Sequence, residues 1–324
     1  MTTAPMAMRD ALLTRLHEAM ADDSRLFFTC ADFGSPVLDK IRRDYPERFI
    51  NVGIAEQNLI NVSAGLALEG YTVFAYAIAP FITMRCYEQI RVNLALLSEV
   101  RPINVNLIGV GAGYSYVVSG PTHQCYEDIS IIRALPNMGL LSPSDHVAAA
   151  GLFDHCVTHH RPKYLRLDAQ VLPVLYSAAT SDLKHGFNCL RETGTICIVA
   201  TGYAVHTALK VADRFAEEGI PMAIIDLVNI AGFSREAMLE ALSHYDSLVT
   251  LEEGFKGRGG IDSLVFDLLA SEGILKPVLN LGVEGRYRFD LGSRQQLHEE
   301  AGIGVGIVTR RVRDFLNSGH QPPG

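Results

Sequence analysis

The chain has 324 residues, 48% of them hydrophobic and 20% charged, with a formal net charge of −8; that length allows about two domains with sizeable cores. No long basic run is present, which argues against nucleic acid or anionic membrane partners, and neither a secretory signal nor an apolar run long enough to span a bilayer can be read. Six cysteines, at 30, 86, 125, 156, 189 and 197, form no C-x-x-C pair, which predicts reduced thiols and a cytoplasmic chain.

Apolar residues at 8, 12, 13, 16 and 20 give residues 6–20 a helical period. Residues 26–30 read as a strand, and 36–43 as a helix with Pro36 near its start. A short strand at 49–52 is broken by Gly53, and Glu56 opens a helix that runs to about Leu68. Residues 71–77 form a strand rich in β-branched and aromatic side chains. A long helix at 80–97 and a strand at 103–108 follow. The stretch 109–121 is Gly- and Ser-rich and has no helical period. The unit closes with a helix at 127–135, a strand at 138–141, a helix at 144–159 capped by Ser144, and a strand at 163–167. Such alternation argues for a parallel sheet covered on both faces.

Residues 169–193 are weakly periodic and are expected to drape over the surface as a linker. A second alternating unit has strands at 195–200, 222–226, 247–252 and 277–281, and helices at 203–218, 234–242 and 260–270. Residues 285–316 show no clear pattern apart from a final helix at 309–316, and the tail at 318–324 is expected to be disordered. The expected fold class is therefore α/β, with two parallel-sheet domains at 1–170 and 194–324 joined by a linker at 171–193.

Glu56 stands at a strand-to-helix turn, where α/β folds place their sites. An acidic residue in a first helical turn is also explained by the helix dipole alone. The string Arg48-Phe-Ile-Asn-Val-Gly-Ile-Ala-Glu-Gln-Asn58 decides between these accounts, because it resembles the signature of the pyrimidine-binding domain in the transketolase family of thiamine diphosphate enzymes. The run from Gly120 through Pro, Thr and His123 to Gln124 strengthens the resemblance, as do EDIS at 127–130, RALPNM at 133–138 and RCYEQIR at 85–91. Glu252-Glu253 and the Gly257-Arg-Gly-Gly260 turn are similar to the family's C-terminal domain.

The resemblance implies a transketolase-like pyrimidine-binding domain followed by a transketolase C-terminal domain. It implies that Glu56, expected to be buried, hydrogen-bonds N1′ of the cofactor's aminopyrimidine, within a cofactor-binding turn that includes Gly53. Phe81 falls where the family stacks an aromatic ring on that heterocycle, although core packing alone would explain a Phe there. Ile78 occupies a position where many members carry a second Phe. His123 is implied to contact sugar hydroxyls and to move protons, work that suits an imidazole; a polar loop residue is the plainer account. Arg85 and Arg91 are expected to form internal salt bridges.

Three departures bear on the substrate. Gly111 stands where many transketolases have a His, Ser119 where many have an Asp, and Ala169 where an Arg usually grips a substrate phosphate, with Arg166 as its structural neighbour. The expected substrate-binding set is thus His123, Ser119 and Gly111, with charge from Arg9 or Arg161. An atypical sugar is expected, because a lost Arg removes a bidentate phosphate clamp. Gly109-Val-Gly-Ala-Gly113 lacks the spacing of a dinucleotide site.

The chain has no Gly-Asp-Gly, the motif with which the family holds diphosphate and Mg²⁺. It therefore resembles the C-terminal subunit of a split transketolase. The implied partner is a diphosphate-binding subunit that holds Mg²⁺, in an α2β2 assembly with paired pyrimidine domains. The expected activity is transfer of a two-carbon ketol unit from a ketose to an aldose. A deoxyxylulose-phosphate-synthase-like ligase, a 2-oxo acid decarboxylating subunit and a non-catalytic scaffold remain alternatives. Use of pyruvate would favour either of the first two, and an active complex that needs Glu56 would exclude the third.

Overall fold

The computed structural model describes residues 4–32, 34–177 and 184–318. Strands β1 (Leu26–Cys30), β2 (Phe49–Asn51), β3 (Thr72–Ile78), β4 (Asn104–Val110), β5 (Gly139–Leu141) and β6 (Lys163–Leu167) form one sheet in the order β2-β1-β3-β4-β6-β5. Every pairing in it is parallel. Helices α1 (Met8–Ala19), α2 (Pro36–Asp44), α3 (Glu56–Leu68), α6 (Asp128–Arg133) and α7 (His146–Thr158) belong to the same unit. β1, β4 and β6 are buried along their whole length, as strands covered on both faces must be.

The segment read as one long helix at 80–97 is wound differently. Residues Phe81–Arg85 and Arg91–Leu96 are π-helical, and they alternate with short α-helices, α4 (Tyr87–Ile90) and α5 (Leu97–Val100). Side chains compete for the helix carbonyls here: Thr83 Oγ1 donates to the Ala79 oxygen at 2.6 Å, and Cys86 Sγ to that of Ile82 at 2.7 Å. Helix α7 is capped by Asp145 and not by Ser144; Asp145 Oδ1 accepts from Ala148 N at 2.8 Å.

The second sheet comprises β7 (Phe187–Arg191), β8 (Ile196–Ala200), β9 (Met222–Leu227), β10 (Ser247–Phe255) and β11 (Val278–Val283), in the order β11-β10-β8-β9-β7. It is parallel except for β7, which pairs antiparallel to β9. That edge strand lies inside the stretch expected to be linker. Leu172 and Tyr176, earlier in the same stretch, are also buried and do not drape over a surface. The strand escapes an apolar-pattern reading because it is short and carries two polar residues, Asn188 and Arg191, among its five.

Helices α8 (Ala204–Glu217), α9 (Arg235–Ser243) and α10 (Ile261–Ser271) fall where periodicity put them. The unread region holds one more, α11 (Arg294–Ala301), and the expected final helix starts four residues earlier, as α12 (Val305–Asn317). α11 is capped by Ser293 and ends at Gly302, whose φ of 83° closes the turn. Of the tail expected to be disordered, residues 319–324 lie outside the described residues.

The segment after β6 is held by two buried aspartates. Asp145 Oδ2 accepts from the backbone N–H of Leu175 at 2.7 Å and of Tyr176 at 2.9 Å. Asp226, at the end of β9, accepts from the Tyr176 hydroxyl at 2.7 Å and from Ser144 Oγ. Burial pushes the Asp226 carboxyl up to about 7, against those hydrogen bonds. Such a group keeps its proton when folded while the unfolded chain ionises, so its contribution to stability is lost as pH rises from about 4 to about 7. Asp226→Asn lacks that titration. Its unfolding free energy relative to wild type is expected to grow by about 2–4 kcal/mol between pH 4.5 and pH 8, measured by urea denaturation; a flat difference would show that Asp226 ionises as freely in the folded chain.

Candidate active site

Register brings the site together. Cys30 pairs with Asn51 and with Tyr76, Ile78 with Val110, and Val110 with Leu167, so the carboxyl ends of β2, β1, β3, β4 and β6 form one rim. The chain order reverses direction about β1, which is where α/β sheets open a crevice. The loops leaving β2, β3, β4 and β6 each carry a residue singled out from the sequence.

After β2, Gly53 takes φ 74° and donates its N–H to Asn51 Oδ1 at 2.9 Å. Glu56 follows as the first residue of α3 and is only 3% exposed. Its Oε2 accepts from Arg85 Nη1 at 2.7 Å, while Oε1 takes no hydrogen bond from the described residues. The internal salt bridge expected of Arg85 is thus made with Glu56, and that of Arg91 with Glu88. The Arg85 guanidinium also lies over the Phe81 ring, 4.5 Å from its centroid. Phe81 is half-buried and meets the His123 imidazole edge to face at 5.2 Å. Glu56, Arg85, Phe81 and His123 therefore form one continuous line of contacts. Ile78 ends β3 three residues before Phe81 and is half-buried.

His123 Nδ1 shares a hydrogen bond with Thr122 Oγ1 at 2.9 Å, which leaves Nε2 as the nitrogen without a described partner. Gly111 is buried and has φ 109°. Ser119 is exposed beside the same loop. Arg9 is half-buried; its Nε and Nη2 fork onto Asp10 at 2.8 and 3.2 Å, and Nη1 approaches the Tyr76 hydroxyl at 3.4 Å. Its charge is thus already partnered. Arg161 is exposed, beyond the end of α7 and away from this rim. Ala169 offers no cation, and Arg166 is a core residue bound to Asp128 Oδ2 at 2.8 Å.

Sequence reasoning missed two features. One is Tyr116, whose ring lies against Gly111 and 6.3 Å from the His123 ring; an aromatic residue in a glycine-rich loop was the available signal. The other is a buried charge cluster behind the loop, where Glu253, Arg294, His298 and Asp168 meet. Glu253 Oε1 also faces the Tyr114 N–H at 3.3 Å, and Gly113 leaves room for that carboxylate, since a Cβ there would lie 2.4 Å from its Oε2. The second unit thus props the loop of the first. Among the described residues no group of three His, Cys, Asp or Glu side chains could hold a metal ion, and no helix is long and apolar enough to cross a membrane.

Comparison with known proteins agrees with this layout. The family model for the transketolase pyrimidine-binding domain matches residues 4–174, and that for the transketolase C-terminal domain matches 186–307. The chain belongs to the transketolase family. It is 30% identical to one subunit of the apulose-4-phosphate transketolase of Actinobacillus succinogenes, over 82% of this chain and 84% of that protein. It is 28% identical to a 6-deoxy-6-sulfo-D-fructose transketolase subunit of a Clostridium species over 95% and 94%. A solved split-gene transketolase, an inactive β4 tetramer, superposes with a TM-score of 0.83 at 29% identity, covering 97% of this chain and 99% of that one. This transketolase-family chain is accordingly similar from end to end to separate subunits.

Proposed function

We propose that this chain is the pyrimidine-binding subunit of a two-chain, thiamine diphosphate-dependent transketolase that moves a two-carbon ketol unit from a ketose donor to an aldose acceptor. The observation that carries the reading is the convergence of Glu56, Phe81 and His123 on one rim in a chain of this family. We assign the pyrimidine-binding domain to 1–170 and the C-terminal domain to 194–324 together with strand β7, which the segment 171–193 contributes to its sheet.

The residues present suit the pyrimidine end of the cofactor. Glu56 offers a buried carboxylate with one oxygen unpartnered, next to a half-exposed aromatic face. When bound, thiamine diphosphate supplies the carbon nucleophile on which the ketol unit is carried. Glu56 holds or releases the proton at pyrimidine N1′, and Phe81 receives the ring, with Gly53 and Ile78 as further cofactor-binding positions. Arg85 lies over both the Glu56 carboxylate and the Phe81 face, so it must swing aside as the ring enters. Its half-exposed side chain has solvent to move into. His123 presents Nε2 to the sugar, where it exchanges protons with a hydroxyl, and Ser119 and Arg9 border that space.

The diphosphate and Mg²⁺ fall to a partner subunit in an α2β2 assembly, since the chain lacks the Gly-Asp-Gly motif. The relatives named for apulose 4-phosphate and sulfofructose support an atypical sugar. Calorimetry with thiamine diphosphate and Mg²⁺ tests the division of labour. Tight binding is expected only after co-purification with the partner. Tight binding by the lone chain would sink the split-site reading, and turnover of pyruvate by the complex would redirect it to a decarboxylating ligase.

A further inference from the structure

Gly111 is not an empty position. A Cβ built on it would sit 2.2 Å from Cε2 of Tyr116 and 2.6 Å from Cδ2, so the phenol ring is seated on bare backbone. Gly111 also holds φ 109°, a conformation that other residues adopt only under strain. The ring faces His123 edge to face. Its hydroxyl makes no hydrogen bond with the described residues, although the side chain is half-buried. Burial pushes the phenol up to about 12, so it remains a protonated donor at neutral pH.

The cations near this corner are committed. Arg9, whose charge acts on the Tyr116 phenol, is forked on Asp10. Arg294 lies between Asp168 and Glu253, and Arg166 on Asp128. Among the described residues the exposed Arg85 is likewise engaged, on Glu56 and over Phe81, so beside Gly111 the corner offers a ligand a hydroxyl and an imidazole.

Resting on the function proposed above, we propose that Tyr116, seated on Gly111 beside His123, is the specificity-determining residue of this site and hydrogen-bonds an uncharged, hydroxyl-bearing part of the sugar. The ring cannot be exchanged for a side chain on Gly111 without moving, so the two positions act as a unit.

The test uses the complex with its diphosphate-binding partner and a panel of D-xylulose, D-fructose and D-sedoheptulose, each free and phosphorylated at its terminal carbon. The best unphosphorylated donor is carried forward. Tyr116→Phe keeps the ring that covers Gly111 and removes only the hydroxyl. It is expected to raise the KM of that donor about tenfold while kcat falls less than about threefold. Gly111→Ser, which must push the ring aside, is expected to reproduce the rise in KM. An unchanged KM in Tyr116→Phe overturns the proposal, and so does a joint collapse of kcat and melting temperature, which would mark a structural tyrosine. Wild-type turnover confined to phosphorylated donors overturns the uncharged-end assignment. A wild-type complex that binds no thiamine diphosphate and turns over no sugar fails the parent reading and removes this one with it.

Discussion

Glu56→Gln is expected to lower sugar turnover by the assembled complex about 100-fold or more, within the range for loss of a positioned proton-transfer group. The substitution is nearly isosteric. The Gln carbonyl can still accept from Arg85 Nη1, which now sits 2.7 Å from the carboxylate. Arg85 is 45% exposed, so its charge stays solvated when the carboxylate is lost. Packing around α3 should therefore survive, and melting temperature and thiamine diphosphate binding separate lost chemistry from lost fold. Glu56→Ala is a poorer probe, because it also empties a buried site and frees Arg85 to rest on Phe81 alone. A Glu56→Gln complex that retains more than about a tenth of wild-type turnover would assign the proton work to another group and revive the scaffold reading.

The place of Glu56, buried at a strand-to-helix turn, was legible from the strand, the glycine and the helix around it, while its assigned role rests on the resemblance of residues 48–58. Periodicity also placed nearly every strand of both sheets, since parallel strands buried on both faces read as short apolar runs. Its failures have local causes. The first π turn, at 81–85, lies where Thr83 and Cys86 capture helix carbonyls, an effect with no signature in apolar spacing. β7 is short and half polar and depends on β9 for its existence. Helix α11 is the sharpest case. Its sequence is largely polar, and its inner face carries Arg294 and His298 where an amphipathic helix would carry Leu. Leu297 and Ala301, buried on the same face, are too few to show a period, and charge partners supplied from far along the chain bury the rest. Arg85 illustrates the same limit within the site: an internal salt bridge could be foreseen, but not that its partner would be Glu56, 29 residues away.

Arg294→Met is expected to be the most damaging single change outside the candidate site, costing about 3–5 kcal/mol, the range found when one partner of a buried ion pair is removed. Arg294 is buried, with Nη2 at 2.7 Å from Glu253 Oε2 and Nη1 at 2.6 Å from Asp168 Oδ2. Its guanidinium stacks on Tyr203 at 3.6 Å. Met fills most of the volume, so what is lost is chiefly charge. The two acids then respond unequally. Burial works to raise the Glu253 carboxyl, but Arg294 and His298 outweigh it and hold the group below its ordinary range. His298 Nε2 remains 2.6 Å from Glu253 after the substitution. Among the described residues Asp168 pairs with no second cation, and burial already raises it even with Arg294 in place. Without the arginine, Asp168 must take up a proton or stay charged in the core. Protonation relieves that penalty, so the stability gap between wild type and variant is expected to narrow on going from pH 7.5 to pH 5. Urea unfolding at the two pH values measures it. A gap that stays constant would mean the lost energy is stacking on Tyr203 and not charge. Because Glu253 also meets the Tyr114 N–H behind the loop that carries Tyr116 and His123, the folded fraction of Arg294→Met should show a raised sugar KM as well, although residue 294 contacts neither.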